Sequence, residues 1–247
     1  MSWKMQNIKR TEWTKLDYDG WLNFFKENDK DRLVINSALL GTLSKEQKAL
    51  IKPSITAFHQ GEHSEGKHLK KCAENFAKQY SETLYTEVID WFIKEENYHS
   101  SYLGTFMKGE GIPPRKKNFL DKTFTKIRQK GSIKSEVITL VTAEIIALTY
   151  YDLLALATNS TELKKICGQM LHDELPHIVF QSYTISHFEQ TKLLKLKRKI
   201  IMEVTTIAVY ICFYRFFKAT RCKLSDFRRE NLGYLKQSQE ISAELLS

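Results

Sequence analysis

Apolar residues recur along this chain at the three-and-four spacing of helices, and no convincing alternation of period two interrupts them. Phe58, Leu69, Cys72 and Phe76 fall on one stripe, and Tyr85, Val88, Phe92, Leu103 and Phe106 on a second. Val137, Val141, Ala147, Tyr151 and Leu154 make a third, and Cys167, Met170 and Phe180 a fourth. Each stripe carries groups that a hydrocarbon core rejects. Glu62 and Glu65 sit in the first, Glu96 and His99 in the second, Glu144 in the third, and Glu174 and His177 in the fourth. Ser81 reads as the N-cap of the second helix, with Glu82 in its first turn. Asn159, with Glu162 three residues on, reads as a capping-box-like start of the fourth. Between the second and third helices runs a long connection from Lys108 to Ser132, with Pro113, Pro114 and a short amphipathic piece from Phe119 to Ile127.

Two helical hairpins joined by one long crossover predict an all-α, ferritin-like four-helix bundle. The pattern predicts one domain over residues 1–247. Its core bundle spans about 51–187, with additional helices over about 17–50 and 188–247. The apolar segment Ile200 to Phe217 is broken by Glu203 and Arg215. The uncharged run between them is far shorter than the ~20 residues of a membrane helix, so a buried helix and no membrane span are expected. Ten Gly and four Pro are too few for a turn-rich β-sandwich or barrel. Four cysteines without a CxxC pair indicate neither a disulfide scaffold nor a thiolate zinc site, and a reduced, cytoplasmic setting is expected. The opening MSWKMQNIKRTEW lacks the apolar core of a secretory signal. A net charge of +9 favours an anionic partner: nucleic acid, a membrane surface or an acidic protein.

Three Glu-x-x-His pairs occur, at Glu65–His68, Glu96–His99 and Glu174–His177. Residues three apart share a helix face and can converge on one ion. One pair is weak evidence, and the strength here lies in register. Glu65 to Glu96 is 31 residues and Glu144 to Glu174 is 30. Counted from turns near Ser81 and Asn159, all four glutamates lie about 14 to 16 residues out, or ~21 to 24 Å along a bundle. Two carboxylate helices and two Glu-x-x-His helices meeting at one depth form the recurrent di-iron or di-manganese arrangement. The predicted ligands are Glu65, Glu96, His99, Glu144, Glu174 and His177, holding two Fe, with Mn a fitting substitute. Glu62, one turn before Glu65, is the reserve ligand. His59, His63 and His68 read as solvated or structural.

The segment Glu95-Glu96-Asn97-Tyr98-His99 resembles the EENRH signature of the soluble acyl-acyl-carrier-protein desaturases. The run from Ile166-Cys167-Gly168 to Asp173-Glu174-Leu175-Pro176-His177 resembles their second signature, with Tyr183 and Ile185 continuing the likeness. The resemblance implies a di-iron centre that activates O2, a ferredoxin-like electron donor, an acyl chain on an acidic acyl carrier protein, and a homodimer. It assigns Glu96 and His99 to one iron and Glu174 and His177 to the other, with Asp173 orienting His99. Departures accompany it. Ala147 stands where the desaturases carry threonine, Phe92 where they carry tryptophan (Trp91 is offset by one), and Pro176 should kink the last helix. Leu103 occupies the spacing of the radical tyrosine of ribonucleotide reductase small subunits.

The reading is therefore a di-iron oxidoreductase acting on an acyl chain or similar apolar substrate. Its alternatives are an oxygenase hydroxylating or N-oxygenating a small aromatic metabolite, and a non-catalytic iron-binding bundle. Leu69, Tyr102, Phe106, Tyr151, Phe180, Gly66 and Gly104 are expected to shape a pocket. Basic runs at Arg115 to Lys134 and Lys192 to Lys199 are expected to steer an acidic partner. No nucleic-acid motif is present.

Overall fold

A computed structural model describes residues 5–63, 66–115 and 132–244. Every helix and strand assigned in them is helical: α1 (Thr11–Thr14), α2 (Tyr18–Asn28), α3 (Lys45–Glu62), α4 (Lys67–Tyr80), α5 (Tyr85–Gly109), α6 (Ile133–Leu154), α7 (Thr161–Ser186), α8 (Lys192–Cys212), α9 (Tyr214–Ala219) and α10 (Leu224–Glu244), with a 3-10 turn at Ser37–Leu39. The ferritin-like bundle is α3 and α4 together, α5, α6 and α7. The first two pack on α5, α4 on α6, and α6 on α7 in the most extensive pairing of the molecule. Helix α2 lies on α5, and α10 covers α6 and α7. Helix α6 is apolar and long enough to cross a membrane, but 78% of its apolar window is buried within the bundle, so it is the core helix.

The first bundle helix is not the continuous rod its stripe suggested. It ends at Glu62 and restarts at Lys67, where Gly66 adopts φ +67. A Cβ on Gly66 would stand 2.5 Å from Ile93, so glycine is required there by both backbone and space. The expectation that Gly66 makes room for a pocket is thus replaced by a turn role. Helix α3 also starts earlier than expected, because Ser44 and Gln47 form a reciprocal capping box. Ser81 closes α4 at φ +60 instead of opening α5. The cap of α7 is Ser160, whose hydroxyl accepts from the Leu163 N–H at 3.2 Å, one residue past the expected Asn159. Helix α7 runs through Pro176 from Thr161 to Ser186 without interruption. The amphipathic piece Phe119–Ile127 lies outside the described residues.

Two larger differences concern the flanks. The N-terminal helix stops at Asn28, and residues 29–44 form a mostly non-helical strap. Its N–H groups are satisfied by side chains of the bundle. Glu162 accepts from the Asn36 N–H at 3.0 Å, and the buried Glu110 carboxylate accepts from Gly41, Thr42 and Leu43 at 2.9, 3.2 and 3.1 Å. Helix α8 is not buried all round. Leu194, Arg198, Met202 and Thr206 are buried, Ile201, Val209 and Tyr210 pack partly against the core, and the helix breaks at Phe213.

Glu110→Gln keeps the shape but offers one anionic acceptor fewer to three backbone N–H groups. Chemical denaturation should show a loss of ~1 to 3 kcal/mol, with the strap becoming protease-sensitive first.

Candidate metal centre

Glu62 is the last residue of α3, Glu96 and His99 lie mid-way along α5, Glu144 mid-way along α6, and Glu174 and His177 mid-way along α7. The i, i+3 spacing turns each Glu and His of α5 and α7 to the bundle axis, as the sequence register requires. All six are nearly or fully buried. Their ligand atoms form two overlapping groups, Glu62–Glu96–His99–Glu174 and Glu96–Glu144–Glu174–His177, with all atoms of a group within 4.8 Å of one another. Glu96 and Glu174 belong to both. They are placed to bridge two ions, with Glu62 and His99 at one end and Glu144 and His177 at the other.

The imidazoles are aimed by what lies behind them. His99 turns Nδ1 to Glu174 at 3.4 Å and Glu96 at 3.7 Å, while its Nε2 meets Asp173 at 3.1 Å. His177 turns Nδ1 to Glu96 at 3.1 Å and Glu174 at 3.3 Å, while its Nε2 faces Glu95 at 3.8 Å. The carboxylates Glu95 and Asp173 thus stand behind the two rings, fixing which nitrogen points inward. Both are gathered by the N-terminal helix. The Asn28 amide donates to Glu95 and, at 3.1 Å, to Asp173. Arg32 lies 3.4 Å from Glu95 and stacks 4.6 Å over Tyr98. Gln169 and the half-exposed His172 complete the shell of Asp173 at 2.9 and 3.0 Å. Asp173 was read from sequence as the partner of His99. Glu95, Asn28 and Arg32 were not, and the doubled Glu95-Glu96 was the available signal for the first.

Aromatic rings close the side nearest α2. Phe92 meets His177 edge-on at 4.8 Å, and Phe25 lies 5.9 Å away. Phe92 therefore packs against the inward imidazole, while the offset Trp91 sits beside Lys94. On the opposite side the Tyr151 hydroxyl donates to Glu62.

Glu65 lies outside the described residues. The carboxylate that α3 brings to the cluster is Glu62, the reserve ligand of the sequence reading. His68 stands apart, 3.4 Å from Glu136. Of the residues expected to shape a pocket, Gly104 lines a cleft of about 850 Å³ with His59, His63, Asn97, Ser100 and Lys108, along the seam between α3 and α5.

Six polar side chains buried this densely need cations. Glu96 Oε1, His99 Nδ1 and Glu174 Oε1 are buried without a hydrogen bond, though they face one another. Burial and the neighbouring Glu96 and Glu174 push the Glu62 carboxyl well above the glutamate range. Burial and Glu174 do the same to Glu144. Burial opposes charge on His177, but its hydrogen bond to Glu174 and the facing Glu96 carboxylate lift it to about 10. His99, hydrogen-bonded to Asp173 and facing Glu174, rises likewise against burial. All four shifts favour protonation, which offsets the same excess of negative charge that divalent ions would. The donor set of hard carboxylates and imidazoles suits iron or manganese. The residues fit a di-metal centre.

One solved structure matches the fold. It is described as an R2-like ligand-binding oxidase, a Y715F mutant with an anaerobically reconstituted Mn/Fe cofactor. The superposition has a TM-score of 0.67 at 14% identity, covering 96% of this chain and 97% of that one. No protein-family model matches this sequence, and no curated protein does. The likeness establishes a ferritin-like bundle of the R2 type. The desaturase signatures quoted above are matched by no curated relative.

Metal loading should release protons. Calorimetry in buffers of different ionisation enthalpy should read out a net proton release near neutral pH that falls as pH rises. A group whose pKa is raised by folding stabilises the fold below its unfolded value and stops doing so as pH climbs through its folded value. Metal-free protein should therefore melt at progressively lower temperature between pH 6.5 and about 10, the span over which His177 loses its proton. Metal-loaded protein should show no such slope in circular-dichroism melts.

Proposed function

We propose that this chain is a di-metal, O2-activating oxidoreductase. The observation that carries the reading is the pair of overlapping ligand groups, sharing Glu96 and Glu174, buried at one level of a four-helix bundle. The matched oxidase with its Mn/Fe cofactor supports it. Two redox-active ions held there would supply electrons and open coordination positions for reducing O2. The chain's own residues do the rest. Glu96 and Glu174, common to both ligand groups, would be shared by the two ions, while His99 and His177 keep Nδ1 inward because Asp173 and Glu95 stand behind them. Phe92 and Phe25 exclude water on one side. Tyr151 fixes the orientation of Glu62, the ligand at a helix end.

The first substrate class to test is an acyl chain, free or on a carrier protein. Reducing O2 to two waters takes four electrons. Two come from the C–H bonds of the chain as a double bond forms, and two from an external donor such as a ferredoxin. A second reading, oxygenation of a small ring-bearing metabolite, draws on the cleft along the seam between α3 and α5. That hollow is open, lined by His59, His63, Asn97 and Ser100, and unlike a long apolar channel.

Purified protein should contain about two Fe or Mn per chain. Glu96→Ala and Glu174→Ala, each removing a shared ligand, should lose most of both ions by elemental analysis while retaining helical circular dichroism. Reductant-dependent O2 uptake should be stimulated by the true substrate class and abolished in both variants. Full metal binding without O2 uptake under any reductant would leave the non-catalytic reading standing.

A further inference from the structure

The inward face of α8 is fixed. Arg198 donates to the Ser238 hydroxyl of α10 at 2.6 Å, and Asn231 of α10 donates to Thr206 at 3.0 Å. This anchoring turns Leu193, Leu196, Ile200, Val204, Ile207 and Ile211 outward, 41 to 74% exposed. Tyr214, at the start of α9, continues the stripe at 52%. Seven large apolar side chains in one line of ~30 Å are more than scattered surface residues. The sequence suggested a buried helix here, and the structure buries only the opposite face.

The ends of the stripe are basic. Lys192, Lys195, Lys197 and Lys199 are exposed at one end, and Arg215, Lys218 and Arg221 are placed at the other. The one acid between them, Glu203, is held by Arg228 at 2.6 Å. A second copy of this chain would bring the same cations against these. Its contact along one helix face, ~300 to 400 Å² a side by helix dimensions, would fall well short of the ~800 Å² of a stable interface. An acidic protein would find charge at the ends but no hydrogen-bonding groups along the aliphatic centre. An anionic lipid surface matches both features. Its headgroups meet the lysines and arginines, its acyl boundary takes the aliphatic stripe, and Tyr214 spans the two.

We propose that the outward face of α8 docks this protein, lying flat, on a membrane bearing anionic lipids. This surface is remote from the side chains that face the metal cluster and does not depend on the oxidase reading.

The full chain should co-sediment with phosphatidylcholine vesicles containing about a third phosphatidylglycerol, but not with phosphatidylcholine alone, and should release as salt is raised several-fold. Ile200→Ser combined with Ile207→Ser should weaken partitioning by at least about tenfold. Lys192→Glu combined with Lys197→Glu should do the same. Melting temperature and metal content should be unchanged in both, since none of the four side chains is buried. Failure of the wild-type chain to bind anionic vesicles at low salt would overturn the proposal. So would undiminished binding by the serine variant, which would place the contact elsewhere. A wild-type dimer that the serine variant dissociates would assign the stripe to a second copy instead.

Discussion

Four carboxylates and two imidazoles meet inside a helical bundle where little water reaches them, and nearly every other feature is arranged around that concentration of charge. Left to themselves these groups favour protonation, because burial and neighbouring carboxylates raise the carboxyls of Glu62 and Glu144 and facing carboxylates raise both histidines. Burying so many unpaired polar atoms opposes folding. Counter-ions in the middle of the cluster turn the same set into a source of stability. The depth of each ligand along its helix follows from this, as do the carboxylates behind each ring and the aromatic wall against His177.

The bundle was legible because its signal is redundant. Four stripes, each with acid or histidine in the same register, leave few alternatives to a ferritin-like order, and Glu96, His99, Glu144, Glu174 and His177 are brought together. What escaped the pattern were places where side chains replace helical hydrogen bonds or where a helix stops. Glu110 and Glu162 satisfy the strap of residues 29–44, a long-range arrangement with no local sequence mark. The αL turn at Gly66 cuts the first rod in two and puts Glu62 at the end of α3. At α8, hydropathy alone registers apolar content, and only the fixed rotation of the helix shows which half of it faces out.

The two ends of the cluster are not equivalent. The ring of His99 is held by a close hydrogen bond to Asp173, itself surrounded by Asn28, Gln169 and His172. His177 has the more distant Glu95 behind it and aromatic edges beside it. Glu62 sits at a helix terminus and is steadied by one phenol, whereas Glu144 is embedded mid-helix. Such inequality favours different affinities at the two positions.

The amide of Asn28 reaches both carboxylates that stand behind the imidazoles, and it lies at the last turn of a helix that Tyr18, Lys26 and Asp29 also tie to Thr184, Glu87 and Lys94 of the bundle. Clasping of the amino-terminal arm and loading of the ions are therefore linked equilibria, each tightening the other. A cell short of iron or manganese would feel the shortage first as a loosened arm, and the availability of metal would set how long this protein survives proteolysis.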